Sequence, residues 1–323
     1  MIKILSGRDI LAYKEAFFQP YHADYLAMFS SIFGGIIKEP IFMMIPMDDH
    51  MVHRGDGIFE VVKCQSGWLY QIDAHLRRLE NSAKIIGLKL PVFFKDIKQI
   101  IKETVRAGGE KDCLVRIFVS RGPGGFTTNP FECLESQIYV MVTRLNRPPL
   151  EHYIQGVKVI ISKIPIKPGV FAQVKSCNYL PNVLMKKEAI EAGAHYAILL
   201  DEKGFLAEGA TESIGILSKS NYLKFPKFGR ILKSITVSRL VNLAKSLIKQ
   251  GLLKDIVFRD IPVEEVYTAK EVFLLGTTID VLPVTSFEDR EVNHGRPGSV
   301  AKALKTLIER DVFCKEVSEQ SLI

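Results

Sequence analysis

Runs of alternating hydrophobic and polar residues give way repeatedly to runs of helical period, and this switching predicts the elements. Gly57 onward alternates as a strand, the turn Ser66-Gly67 follows, and 68–72 returns as its hairpin partner. Asp73 is then expected to cap a helix whose Leu76, Leu79 and Ala83 share one face, with Arg78 at the edge of that face. A second amphipathic helix is predicted over 96–107, from Ile97, Ile100, Ile101, Thr104 and Val105. Strands are expected at 41–47, 113–120, 137–142, 157–161, 196–200 and 271–276, with helices at 183–192 and 237–249. Residues up to about 40 carry little pattern and read as an apolar N-terminal arm packed on the body or on a second subunit.

Asn146-Arg147-Pro148-Pro149 is the best boundary, a proline-rich connector after a strand. It divides the chain into a smaller α/β domain, 1–146, and a larger one, 147–323. The order of elements makes the whole an α/β protein. At 323 residues, 47% hydrophobic and 24% charged, the chain can bury the cores of two soluble domains. Its net charge of +7 is scattered without a Lys/Arg block, which favours small anions as ligands over nucleic acid. Five widely spaced cysteines without a Cys-x-x-Cys pair fit a reducing cytoplasm and neither a disulfide scaffold nor a zinc site. The apolar stretch 25–47 is broken by Gly34-Gly35 and Lys38-Glu39-Pro40, so no membrane span is expected, and no targeting segment is read at the N-terminus.

Candidate chemistry centres on Gln173-Val174-Lys175-Ser176-Cys177-Asn178-Tyr179-Leu180 and on Leu206-Ala207-Glu208-Gly209 beyond the next helix. A lysine in a short polar turn can bond the aldehyde of pyridoxal phosphate (PLP). A carboxylate in a small-residue turn can keep the pyridine nitrogen of that cofactor protonated. Lys175 and Glu208 are the residues singled out. The turn 229–236 precedes a helix, whose N-terminal amides favour a phosphate, and Gly276-Thr277-Thr278 ends a strand with hydroxyls that can do the same. Arg121-Gly122-Pro123-Gly124-Gly125 reads as a tight turn, with an anion-binding nest as the alternative. His50 and His53 beside Asp48 and Asp49 lack the further ligands of a metal centre, so no metal is expected.

In combination, Arg-Gly-Asp-Gly-Ile-Phe-Glu from Arg54, the stretch His75 to Leu79, Val-Lys-Ser-x-Asn-Tyr-Leu-Pro-Asn around Lys175, Glu208-Gly209 and Gly276-Thr277-Thr278 resemble the class IV, fold-type IV PLP enzymes. That family includes the D-amino-acid and branched-chain aminotransferases and the aminodeoxychorismate lyases. The resemblance implies a homodimeric transaminase acting on an amino acid and a 2-oxo acid. Lys175 would hold PLP and move a proton as base and acid, Glu208 would face the ring nitrogen, and Tyr179 would bond the ring hydroxyl. Arg78, the amides of Ile235 and Thr236, and Thr277 would bind the phosphate. Phe59, Arg121 and Thr278 would meet the substrate, with Arg121 helping to hold its carboxylate. The Lys175 and Gly276 blocks look closest to D-amino-acid aminotransferases, which favours substrates such as D-alanine. Branched-chain L-amino acids, a lyase outcome and a binding protein without turnover are the alternatives.

Three departures from the family pattern stand out. Phe59 stands where bacterial D-specific members have tyrosine, and Pro123 to Gly125 replace a histidine-bearing part of the loop. Lys233-Ser234 and Val237 flank Ile235-Thr236 where glycine and arginine are usual. Glu212-Ser213 brings an extra carboxylate behind Glu208.

Overall fold

The computed structural model describes residues 2–12 and 14–320; Met1, Tyr13 and residues 321–323, which end the domain expected over 147–323, lie outside the described residues. The described residues fold as two compact units, one formed by those of 1–69 and 88–145 with residue 320, the other by 70–87 and 146–319.

The first unit is built on antiparallel strands in the spatial order Gly57–Gln65, Cys113–Ser120, Gln137–Arg144, Tyr25–Ser30 and Gly35–Ile37. Ile58, Val62, Val115, Ile117, Val140 and Val142 are fully buried along it. The helix Ile97–Gly108 packs on this sheet with Ile97, Ile101, Thr104 and Val105 buried, close to the expectation, and Gly109 ends it in the left-handed conformation.

Two expectations fail here. Residues 25–37 are two strands of the sheet and not an arm, because Ala27, Met28 and Phe29 have a buried place to go beside Gln137–Arg144. Residues 41–47 form no strand. A 3-10 turn, Pro40–Phe42, and irregular backbone take their place, since Pro40 and Pro46 cannot donate to a ladder.

In the second unit the strand order closes on itself. Ser213–Leu217, Glu271–Gly276, Asp280–Phe287, Val157–Ile161, Tyr196–Leu200 and Leu206–Gly209 follow one another, and Leu206–Gly209 pairs back onto Ser213–Leu217 through Glu208 and Ser213. Closure leaves these strands without a free edge. Val157–Ile161 runs parallel to both its neighbours and the remaining pairings in the ring are antiparallel, so the sheet is mixed. Val159, Ile198, Ile214, Leu274 and Leu282 fill one apolar cluster, and Met185, Ala189, Ala197 and Ala207 belong to another beneath the helix Leu180–Glu191.

The helix expected from Asp73 runs Ile72–Ile85, and its cap position is Gln71, in left-handed backbone. Leu76, Leu79 and Ala83 are buried together as expected. The helix expected over 237–249 starts two residues earlier, as Ile235–Lys249, because Ser234 accepts a hydrogen bond from Val237 N at 3.2 Å and caps it. Among the described residues no helix is long and apolar enough to cross a membrane.

Candidate active site

Lys175 lies between a 3-10 turn, Gly169–Gln173, and the helix Leu180–Glu191, whose second residue is Pro181. Proline there needs no amide partner, so the lysine-bearing turn ends sharply where the helix begins. Ala172 and Val174 are buried and anchor the turn, and the backbone N–H of Lys175 donates to Ser82 Oγ at 3.4 Å. Its Nζ donates to the Tyr179 hydroxyl at 3.3 Å, four residues on. A second ammonium, Lys167 Nζ, stands 5.1 Å from the centroid of the Tyr179 ring, and burial lowers its pKa.

Glu208 sits on the strand Leu206–Gly209 and accepts from Leu232 N at 3.2 Å. Desolvation pushes its pKa up to about 7, against the opposing pull of that bond and of the charges on Lys167, Lys175 and Arg78. The amide of Leu232 is held in a loop that is tied at Arg230, whose guanidinium pairs with the buried Asp201. Asp201 in turn accepts from Lys203 N and Phe205 N at 2.9 and 3.0 Å, closing the hairpin that leads to Glu208.

Arg78, one turn beyond His75 on the Ile72–Ile85 helix, donates to the Lys233 carbonyl at 2.9 Å. Ile235 and the buried Thr236 open the next helix, and Ile235, Thr236 and Thr277 line one small cavity together with Tyr70, Gln71, His75 and Asp280. Beside it a cleft of about 600 Å³ is lined by Arg77, Arg78, Lys233, Arg239, Gln71 and Ile235, among others. Thr278 follows Thr277 in the same turn and is partly buried.

Glu212 is turned back on its own loop. It accepts from Thr211 N at 3.0 Å and from the Thr211 hydroxyl, so this extra carboxylate serves the turn after Glu208.

The first unit holds the other two candidates. Phe59 stacks on Phe118 with ring centroids 5.7 Å apart. Arg121 grips Asp56 through both oxygens, Nε to Oδ2 at 2.9 Å and Nη2 to Oδ1 at 3.0 Å. The loop after Arg121 is fastened by buried groups. Asp49 accepts from Tyr139 Oη at 3.0 Å, Met51 N at 2.8 Å and the Ser120 hydroxyl, and Ser120 Oγ accepts from Gly122 N at 2.7 Å. Gly122 occupies a left-handed conformation in which a Cβ would lie 1.9 Å from the Glu135 carbonyl oxygen. Glycine is therefore required at this bend. His50 is buried and within hydrogen-bond distance of the Gly125 carbonyl at 3.1 Å, and among the described residues no cluster of metal-ligating side chains occurs.

The second unit thus gathers Arg78, Lys175, Tyr179, Glu208, Ile235, Thr236, Thr277 and Thr278. Sequence reasoning missed Lys167, the Leu232 amide and the Asp56 partner of Arg121. Lys167 carries no local signal that separates it from a surface lysine, and the other two are contacts made by residues far apart in the chain.

The architecture is that of the fold-type IV PLP enzymes. A solved branched-chain amino acid aminotransferase with pyridoxamine 5'-phosphate matches with a TM-score of 0.85 at 24% identity, covering 92% of this chain and 99% of that one. The Escherichia coli branched-chain enzyme matches with a TM-score of 0.84 at 23% identity, over 93% and 99%. The model of the amino-transferase class IV family matches residues 57–287, and the chain belongs to that family. It is a PLP-dependent aminotransferase. Among its relatives is the chloroplastic D-amino-acid transaminase of Arabidopsis thaliana, 39% identical over 89% of this chain and 77% of the relative. The putative branched-chain-amino-acid aminotransferase of Methanocaldococcus jannaschii is 33% identical over 80% and 87%.

Proposed function

We propose that the chain transfers the amino group of a D-amino acid such as D-alanine to a 2-oxo acid, with Lys175 as the catalytic residue. The observation that carries the assignment is the Lys175 amine 3.3 Å from the Tyr179 hydroxyl, in one unit with a desolvated carboxylate at Glu208. The residues suit PLP. Glu208, destabilised by burial, would gain from a protonated ring nitrogen, and the cleft at the start of the Ile235–Lys249 helix, about 600 Å³ and lined by Arg77, Arg78, Lys233 and Arg239, suits an anion. When bound, PLP supplies an electron-withdrawing ring that stabilises negative charge developing at the substrate Cα.

Lys175 would hold the cofactor and then take and return the proton at Cα, with the Tyr179 hydroxyl fixing the amine and bonding the ring hydroxyl. Arg78, the Ile235 and Thr236 amides and the Thr277 hydroxyl would bind the phosphate. Phe59, Arg121 and Thr278 would meet the substrate. The plant relative's activity favours the D-amino acid. The stacked Phe59 and Phe118 rings favour a second reading, a branched-chain substrate held on an apolar wall. We also infer two functional domains, 1–146 and 147–323, working as a homodimer in the cytoplasm, in keeping with the five free cysteines.

Borohydride reduction of the PLP-loaded protein followed by peptide mapping should place the pyridoxyl group on Lys175; a label on Lys167 instead would overturn the assignment. A panel of D- and L-amino acids with pyruvate or 2-oxoglutarate decides the substrate. Consumption of L-leucine and L-isoleucine with D-alanine and D-glutamate ignored would replace the D-specific reading by the branched-chain one.

A further inference from the structure

Gln71 is a residue to which no role has been given, and three observations single it out. Its carboxamide nitrogen is buried and has no acceptor among the described residues. Its backbone is left-handed, φ 57° and ψ 28°, a conformation that costs a residue with a Cβ and is retained where the surroundings enforce it. Its main chain is fully used: the N–H donates to the Val317 carbonyl at 2.8 Å, and the carbonyl accepts from His75 N at 3.1 Å, the first bond of the Ile72–Ile85 helix. The strained backbone is thereby clamped at both ends.

Gln71 lines both the small cavity it shares with Ile235, Thr236 and Thr277 and the wider cleft it shares with Arg78, Arg239 and Lys233. A buried donor without an acceptor costs stability in the ligand-free protein, and an anion accepting from it would recover that cost. Asp280, which also lines the small cavity, is within 3.4 Å of Arg147 Nη1, which offsets its charge.

We propose that Gln71 is a further phosphate-binding residue, its carboxamide donating to a phosphate oxygen of PLP beside Arg78, Thr236 and Thr277. The inference rests on the reading of the cleft at the start of the Ile235–Lys249 helix as the phosphate site. It adds a neutral donor, held by a strained backbone, to a cup otherwise made of a guanidinium, a helix N-terminus and hydroxyls.

The test compares PLP with pyridoxal, which lacks the phosphate, on the full-length apoprotein by calorimetric or absorbance titration. Two variants are used: Gln71→Leu removes the donor, and Gln71→Gly removes it while relieving the left-handed backbone. In both, PLP should bind about tenfold or more weaker, a hydrogen bond to a charged group being at stake, while pyridoxal binds as before. Thermal melting of the apoprotein should be unchanged or raised in the Gly variant, because a buried unpaired donor and a backbone strain have both gone. If both variants keep the wild-type preference for PLP over pyridoxal, the proposal is wrong. It is also wrong if PLP and pyridoxal weaken together with a lowered apo melting temperature, which would make Gln71 a structural residue. Should the wild type bind PLP and pyridoxal equally, the phosphate site itself is misplaced and the proposal falls with it.

Discussion

Glu208 is a carboxylate that the apoprotein holds at a cost. Its pKa is raised from its ordinary value to about 7 because desolvation outweighs the Leu232 amide and the nearby ammonium groups. A carboxyl whose folded pKa lies above its unfolded one binds more protons when folded, so folding stability falls as pH rises between the two values. The apoprotein should therefore lose stability from about pH 4.5 to about pH 7, by at most about 3 to 4 kcal/mol at one pKa unit per 1.4 kcal/mol. A cation facing Glu208 would lower its pKa and flatten this dependence. Chemical denaturation at pH 5 and pH 8, with and without PLP, measures both effects. Glu208→Gln should remove the slope from the apoprotein, and a slope that survives in the variant would assign it to another group. Lys175→Ala belongs to the same scale: turnover should fall by several orders of magnitude, since under the proposed assignment one amine would both hold the cofactor and move the proton. Both residues could be proposed from the sequence, because each lies in a short motif whose spacing survives in one dimension. Gln71 was not legible, since neither its left-handed backbone nor its missing acceptor leaves a trace in residue order.

Among the elements, helix starts were read well where the cap is local and poorly where it is not. Ser234 caps its own helix, so its start was misplaced by only two residues. The helix Ser299–Asp311 follows Gly298, which supplies no side chain. Its first amides donate instead to Glu271, from Val300 N at 3.0 Å and Ala301 N at 2.8 Å. Glu271 opens the strand Glu271–Gly276, so one buried carboxylate joins a strand to the N-terminus of a helix packed on it. Gly298 is required by this arrangement, as a Cβ there would meet the Glu271 carboxylate carbon at 1.9 Å. Glu271→Ala should destabilise the protein by about 1 to 3 kcal/mol, the cost of leaving buried donors unpaired. Glu271→Gln, which keeps an acceptor, should cost less. Urea denaturation of the two variants separates the loss of the acceptor from the loss of the charge, and an Ala variant as stable as wild type would rule the cap out. The strand wrongly expected at 41–47 fails for a related reason. Its apolar composition is right for a strand, but Pro46 within it and Pro40 just before it remove donors that only a ladder partner would have called for.

At the scale of the whole molecule, the residues assigned to PLP are confined to one unit. Arg78 and Gln71 come from the inserted segment 70–87, and Lys175, Tyr179, Glu208, Thr236 and Thr277 from 146–319, while Phe59 and Arg121 belong to the other unit. Pattern in the sequence placed the connector near Asn146 but could not show that 70–87 leaves the strands before it to join the later part of the chain. Helical periodicity describes the face a helix buries and says nothing of which core receives it. The division makes a prediction about cofactor binding in the absence of substrate. A ligand that binds only the native state suppresses openings of the structure it contacts, by about 2.7 kcal/mol at a hundredfold excess over its Kd. PLP added to the apoprotein should accordingly slow amide hydrogen exchange in 70–87, in the turn around Lys175 and at the start of the Ile235–Lys249 helix. The strands Cys113–Ser120 and Gln137–Arg144 should exchange as before. Addition of an unreactive carboxylic acid to the PLP-loaded protein should then extend protection to the loop after Arg121, where Asp49, Ser120 and Gly122 are bonded together. If PLP alone protected that loop and its strands as strongly as the Lys175 turn, the cofactor residues would not be confined as assigned, and Arg121 would have to be counted among them.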